Sequence, residues 1–228
     1  HDPYVARRKY WDLYEGIAEL DPPVEDLGYA NQDPHSRRLI DACDSHKFDI
    51  TRETVRRARQ GYFANISYID DKVGDLLETL RTTRMLDNTI VLFTSDHGDM
   101  LGERGLWFKM SFFEGSARVP LMVAGPGVTP RLVNEPVSTL DINPTLADLA
   151  GIDIGEILPW TDGESLVPLM QGGKRTTPVL MEYTAEGSQA PLVCIREGDW
   201  KFSHCELDPP MLFNLKDDPQ ELTNLAAD

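Results

Sequence analysis

From Val55 onward, apolar residues recur at spacings of three and four: Val55, Ala58, Tyr62, Phe63, Ile66, Ile69, Val73, Leu76, Leu77 and Leu80. One stripe at helical period predicts an amphipathic helix, with Asp49 or Thr51 as its N-cap. Gly61 and Gly74 weaken it locally without breaking the period. Asp87-Asn88 then turns the chain into Thr89-Ile-Val-Leu-Phe-Thr94, a continuous apolar run bounded by polar residues. Such a run is the pattern of a strand buried on both faces of a parallel sheet. Val119-Pro-Leu-Met-Val-Ala124, stopped by Gly125-Pro-Gly127, reads as a second strand. Residues 139–150 read as a second helix, with Pro144 near its start and Gly151 at its end. Helix, strand, loop, strand, helix predicts an α/β sheet covered by helices.

Beyond about residue 165 the texture changes to short runs at Val179–Tyr183, Leu192–Arg196, Trp200–Ser203 and Met211–Leu215. Turns such as Glu197-Gly-Asp199 separate them, and together they predict a small antiparallel sheet. The expected division is therefore 1–165, part of an α/β domain, and 166–228, a C-terminal subdomain. Residues 1–20 read as short-helical or irregular. Residues 21–50, with Pro22, Pro23 and Pro34 amid Asp, Asn and Gly, read as a long excursion, either a surface loop or a functional segment. That excursion is also a candidate contact surface for a homo-oligomer, although no spacing in it fixes an oligomeric state.

Composition narrows the partners. Asp and Glu number 38 against 22 Lys and Arg, a net charge of −16, which opposes binding to nucleic acid or to an anionic membrane surface. Hydrophobic residues make up 41% of the chain, enough for a real core. No run approaches the ~20 apolar residues that span a bilayer. Three cysteines, Cys43, Cys194 and Cys205, are an odd number without Cys-x-x-Cys spacing. They read as reduced thiols of a cytoplasmic protein rather than as a disulfide framework or a zinc site. The chain opens on His1 rather than Met, which reads as processing or as part of a longer polypeptide.

The sharpest chemical feature is Thr94-Ser-Asp-His-Gly-Asp99. It follows the predicted strand at its carboxyl end, where ligands gather in open α/β sheets. Asp96 offers a hard oxygen and His97 a borderline nitrogen, together half of a divalent-metal site. Gly98 lets backbone pass close to what they bind. Taken alone, the triplet is a weak signal and reads first as a turn in which Asp96 caps the next segment.

The wider context settles more. Asp96-His-Gly-Asp-Met-Leu-Gly-Glu-Arg-Gly-Leu-Trp-Phe-Lys109, continuing to Arg118-Val-Pro-Leu121, resembles the hallmark of type I sulfatases in the alkaline-phosphatase superfamily. His1-Asp-Pro-Tyr4 resembles that family's His-x-Pro segment, and Leu212 to Leu225 its closing signature. Trp107 to Arg118 and the opening residues are most similar to the choline-sulfatase branch. The resemblance implies an alkaline-phosphatase-like α/β fold. It implies that Asp96 and His97 ligate a divalent cation (Ca, Mg or Mn), and that Lys109 contacts sulfate oxygens, where a fixed positive charge stabilises sulfuryl transfer. It also implies that His1 assists the departing alkoxide, and that Glu186 faces the quaternary ammonium of a small-molecule sulfate ester, with Tyr183 and Trp107 as aromatic neighbours.

One family element is missing. Sulfatases carry a Cys-x-(Pro/Ala)-x-Arg segment whose cysteine becomes formylglycine, the nucleophile. Cys43-Asp-Ser-His-Lys47, Cys194-Ile-Arg-Glu-Gly198 and Cys205-Glu-Leu-Asp-Pro209 do not fit it. The expectation is a C-terminal portion of a sulfatase, with formylglycine supplied by the preceding part and activity confined to the longer protein. Two alternatives stand beside it: a phosphonate monoester or phosphodiester hydrolase of the same superfamily, and a non-catalytic module that keeps the scaffold.

Overall fold

Thr51 starts the long helix by accepting the Thr54 N–H on its side-chain oxygen at 3.2 Å. In the computed structural model, which describes residues 3–157 and 159–226, the helices are α1 (Arg8–Trp11), α2 (Pro34–Ala42), α3 (Arg52–Thr82), α4 (Glu114–Ala117), α5 (Ile142–Leu149), α6 (Ile154–Ile157) and α7 (Val167–Met170). The strands are β1 (Val91–Thr94), β2 (Met100–Leu101), β3 (Trp107–Phe108), β4 (Leu121–Ala124), β5 (Val179–Tyr183), β6 (Leu192–Glu197), β7 (Trp200–Cys205) and β8 (Asp208–Asn214). They divide into two compact units, one of residues 1–126 with 185–187 and one of residues 127–184 with 188–228.

In the first unit the N-terminal half of α3 is the centre. Arg59, Gln60, Gly61 and Ala64 are its buried positions. Aromatic side chains from the preceding segment cover it: Tyr4 stands edge-on to Tyr62, Tyr10 edge-on to Tyr68, and Tyr14 stacks on Phe63. Gly61 permits this approach, because a Cβ there would lie 2.5 Å from the Tyr4 carbonyl oxygen. The apolar stripe continues as the sequence predicts, but Ile66, Ile69, Leu76 and Leu77 are exposed. Period fixes which residues share a face, whereas burial depends on what reaches that face, and the covering aromatics reach Tyr62, Phe63 and Tyr68 but leave these four open.

β1 and β4 correct a second expectation. They pair antiparallel, with Val91 opposite Ala124 and Thr94 opposite Leu121, and are not fully buried. An apolar run reports a need for burial and carries no strand direction. Here the chain between the strands folds back through β2, β3 and α4, and so returns at the end of the sheet where it left.

The 21–50 excursion is partly ordered by capping. Asp33 accepts the Ser36 N–H at 3.0 Å, with Pro34 in the first turn of α2. Its loop is seated on residues 103–105: Arg104 N donates to the Val24 carbonyl at 3.2 Å, and the Gln32 side chain donates to the Arg104 carbonyl.

The second unit carries the predicted four-strand sheet, in sequential order β5-β6-β7-β8 and antiparallel throughout. On β7, Lys201, Ser203 and Cys205 point in while Trp200, Phe202 and His204 point out. The buried Lys201 ammonium meets Glu221 at 2.8 Å. Around α5, fully buried Asp141 accepts the Ser138 and Glu164 N–H groups at 2.7 and 2.8 Å and pairs with Arg175. Among the described residues no helix is long and apolar enough to cross a membrane.

Candidate active site

β1 delivers the chain into residues 95–99. Ser95 Oγ donates to the His97 carbonyl at 2.8 Å, and His97 N donates to Asp96 Oδ1 at 3.0 Å, which closes a tight turn. Gly98 N then donates to the Ser116 carbonyl at 2.8 Å. A Cβ on Gly98 would lie 2.2 Å from the Gly115 carbonyl oxygen, so only glycine lets α4 close on this corner.

The turn sets Asp96 and His97 side by side, Oδ2 at 3.5 Å from Nε2, with their side chains 84% and 35% exposed. His97 Nδ1 lies 2.7 Å from the Gly98 carbonyl. A carbonyl only accepts, so Nδ1 donates, which leaves Nε2 on the side of Asp96 as the nitrogen able to offer a lone pair to a cation. Slight burial works against ionisation of Asp96, but the His97 backbone N–H and imidazole prevail and hold its carboxyl below the ordinary value. One ionised oxygen donor and one imidazole lone pair facing the same space suit a divalent cation. Among the described residues no group of three or more His, Cys, Asp and Glu side chains could hold a metal, so the pair fits as half of a site.

Lys109 reaches the same corner through a ribbon. Met100 pairs with Phe108 and Leu101 with Trp107, so one step outward sets Asp99 across from Lys109. Glu103 in the turn accepts the Leu101 N–H at 2.6 Å and pairs with buried Arg59 of α3, which anchors the ribbon. Phe108 has φ +66°, a left-handed conformation that an aromatic residue adopts only under constraint, immediately before Lys109. Ser116 Oγ donates to the Lys109 carbonyl, and His35 Nε2 donates to the Met110 carbonyl at 2.7 Å. The Lys109 side chain itself is exposed.

Asp99 is the residue that the sequence reading passed over. It is half-buried, and burial raises its carboxyl above the ordinary value, against the opposing pull of His97 and Lys109. Its signal was available: Asp99 is a second carboxylate only two residues past His97 in the same Asp-His-Gly-Asp run.

Glu186 stands elsewhere in the first unit. Its loop packs on α2, where Arg38 Nε donates to the Gly187 carbonyl at 2.6 Å and the Gly187 Cα faces Leu39. Burial raises the Cys43 thiol, and the charges of Asp44 and Glu186 add to the rise. α2 thus touches both places: His35 in its first turn holds the strand end beside Lys109, and Arg38 and Leu39 hold the Glu186 loop. Trp107 lines a cavity of about 770 Å³ with Tyr29, Phe48, Ile50 and Val55. Tyr183 ends β5 in the second unit. His1 lies outside the described residues.

Comparison with known proteins shows the family. Residues 26–152 match the sulfatase family, and residues 102–228 match the C-terminal domain of N-sulphoglucosamine sulphohydrolase. The chain is 66% identical to a choline-sulfatase of Rhizobium meliloti over 99% of its own length and 44% of that protein's. It is 38% identical to arylsulfatase K of Gallus gallus over 78% of its length and 35% of that protein's. Its fold superimposes on the phosphonate monoester hydrolase of Agrobacterium radiobacter with a TM-score of 0.69 and 31% identity, over 79% of this chain and 39% of that one. The chain therefore spans less than half the length of each of these relatives. An α/β alkaline-phosphatase-like fold with an antiparallel C-terminal sheet, an Asp-His-Gly corner on β1 and a matching sequence throughout make one assignment: the chain belongs to the sulfatase family.

Proposed function

We propose that this chain is the C-terminal part of a sulfuric ester hydrolase that cleaves choline O-sulfate to choline and sulfate. The observation that supports the reading is the ribbon whose last pair, Met100 and Phe108, brings the chain on to Lys109 at the end where the Asp96–His97 turn arrives, in a chain 66% identical to a choline-sulfatase. Asp96 and His97 would hold a divalent cation, which when bound draws charge from the sulfate oxygens. Formylglycine, supplied by another part of the protein, would be the sulfuryl acceptor.

The chain's own residues would bind and orient the ester. The Lys109 ammonium neutralises the ester's equatorial oxygens as charge builds on them. His1 is the proposed proton donor to the departing choline oxygen, because an alkoxide leaves poorly without one. The Glu186 carboxylate pairs with the quaternary ammonium and orients the ester. Cys43, Cys194 and Cys205, none of them in a disulfide, support a reducing, cytoplasmic setting.

A phosphonate monoester hydrolase is the second reading, favoured by the 31% identity to that enzyme. Sulfate release from choline O-sulfate and hydrolysis of a phenyl phosphonate monoester, measured side by side on the full-length protein, separate the two. We expect choline O-sulfate to be preferred by kcat/KM. Glu186→Gln should raise KM for choline O-sulfate about tenfold and leave a neutral sulfate ester unaffected. A preference for the phosphonate ester would reverse the assignment.

A further inference from the structure

Helix α2 is fastened at its start to the ribbon that carries Lys109. Buried Gln32, just before the helix, donates through its side chain to the Arg104 carbonyl in the ribbon's turn. His35, only 5% exposed, donates from Nε2 to the Met110 carbonyl at 2.7 Å, at the ribbon's open end. The Asp33 cap fixes where the helix begins. One turn further along, Arg38 Nε donates to the Gly187 carbonyl at 2.6 Å. Gly187 has φ +76°, and a Cβ on it would lie 2.8 Å from the Leu39 side chain and 3.6 Å from that of His35, so glycine is what lets the loop sit this close. Glu186, an exposed residue, directly precedes it. All of these residues belong to the first unit.

We propose that α2 is a spacer that sets the separation between the sulfate-binding and cation-binding groups, with His35 and Arg38 as its positioning residues. The inference rests on the proposed choline O-sulfate reading and deepens it, by assigning the length of ester accepted to this helix. From His35 to Arg38 the helix advances ~4.5 Å along its axis, and its internal hydrogen bonds keep that rise constant. Lys109 follows one anchor of the helix and Glu186 the other, so neither can drift without breaking a named contact. An ester whose ammonium and sulfate are joined by an ethylene bridge meets both groups at one separation. A longer homologue must buckle or leave one charge unpaired, and small misplacements of a reacting group cost rate steeply.

The test uses the full-length protein with Arg38→Gln, Gly187→Ala and the double variant, assayed on three esters. These are choline O-sulfate, its homologue one methylene longer, and 3,3-dimethylbutyl sulfate, which has choline's shape without its charge. Wild type should prefer choline O-sulfate to the longer homologue by at least about tenfold in kcat/KM. Each single variant should raise KM for choline O-sulfate about 3-fold to 10-fold, with kcat changed less than about 2-fold. It should also shrink the length preference to under about 3-fold and leave kcat/KM for the neutral ester within about 2-fold of wild type. The double variant should be little worse than either single one, as expected for partners in one contact. His35→Ala should lower kcat/KM on all three esters by about tenfold, because the strand end beside Lys109 loses its anchor. His35→Gln, which keeps a donor for the Met110 carbonyl, should restore most of that loss. Gly187→Ala acts from the loop side, so it keeps the test valid if Arg38→Gln folds poorly.

Equal losses on the three esters in Arg38→Gln and Gly187→Ala, no loss on any, or a wild type indifferent to ester length would overturn the spacer while leaving the sulfatase reading intact. A wild-type protein that turns over none of the three would overturn the sulfatase reading, and the spacer with it.

Discussion

Asp99 and Lys109 face one another one step beyond the last pair of the β2–β3 ribbon. The two strands contribute only two residues each, yet their register carries the candidate sulfate-binding lysine back to the turn that holds Asp96 and His97. The ribbon is fastened at its turn to α3 through Arg59 and Glu103, and at its open end to α4 through Ser116. A long exposed side chain thus leaves from a backbone that is held on both flanks.

Lys109→Ala in the full-length protein should lower kcat/KM for choline O-sulfate by about 10²-fold to 10³-fold, the range for losing one preorganised charge contact. Because the side chain is exposed, the unfolding free energy should change by no more than about 0.5 kcal/mol. Steady-state kinetics together with urea unfolding check both parts, and an unchanged kcat/KM would remove the role.

Gly98→Ala acts on the backbone. The added methyl would meet the Gly115 carbonyl oxygen at 2.2 Å, a contact that rotamer changes cannot relieve. We expect a loss of at least about 2 kcal/mol in denaturant unfolding, and weaker activity because α4 and the Asp96–His97 turn move apart. Stability equal to wild type would mean that this corner is looser than described.

In the second unit, Lys201 and Glu221 form an ion pair with side chains only 1% and 4% exposed. Lys201→Met alone should cost about 3–5 kcal/mol, because it leaves a buried carboxylate without its cation. Lys201→Met combined with Glu221→Leu should recover most of that loss, since replacing both members of a buried pair with apolar groups is often neutral. A double-mutant cycle measured by thermal or urea unfolding reads the coupling directly.

Asp21 provides a pH-dependent test. Hydrogen bonds from Arg52 foremost, against a small opposing effect of burial, and then from Arg56, hold its carboxyl far below the ordinary 3.8. A carboxyl whose folded pKa is depressed adds stability that is complete above its unfolded value and disappears as pH falls through the folded one. The gap in melting temperature between wild type and Asp21→Asn should therefore be constant from pH 8 to about pH 5 and shrink below about pH 4. A gap that widens toward acid would contradict the sign.

Much of the fold is legible in the sequence. The stripe from Val55 to Leu80 yields α3, and the four C-terminal runs yield β5–β8 with ends within a few residues, because period and turn residues are local signals. The pairing of β1 with β4 is not legible, since apolar content sets burial and leaves direction open. The ribbon is hidden for a different reason: two-residue strands have no period, and nothing about a phenylalanine announces the positive φ of Phe108. Asp96 and His97 could be named from their motif and are found side by side. The seat of Glu186 against α2 could not, because Arg38 and Gly187 are distant in sequence and meet only through folding.

The β2–β3 register has one more consequence. In a ribbon the side chains alternate faces, so the spacing between the Asp96–His97 turn and Lys109 has a parity as well as a length. Adding one residue between Leu101 and Trp107 would turn the ammonium to the opposite face of the ribbon, while adding two would slide it along the same face. Seen this way, Gly102 to Leu106 is less a loop free to vary than a counter, whose odd or even setting decides whether the charge faces the Asp96–His97 corner at all.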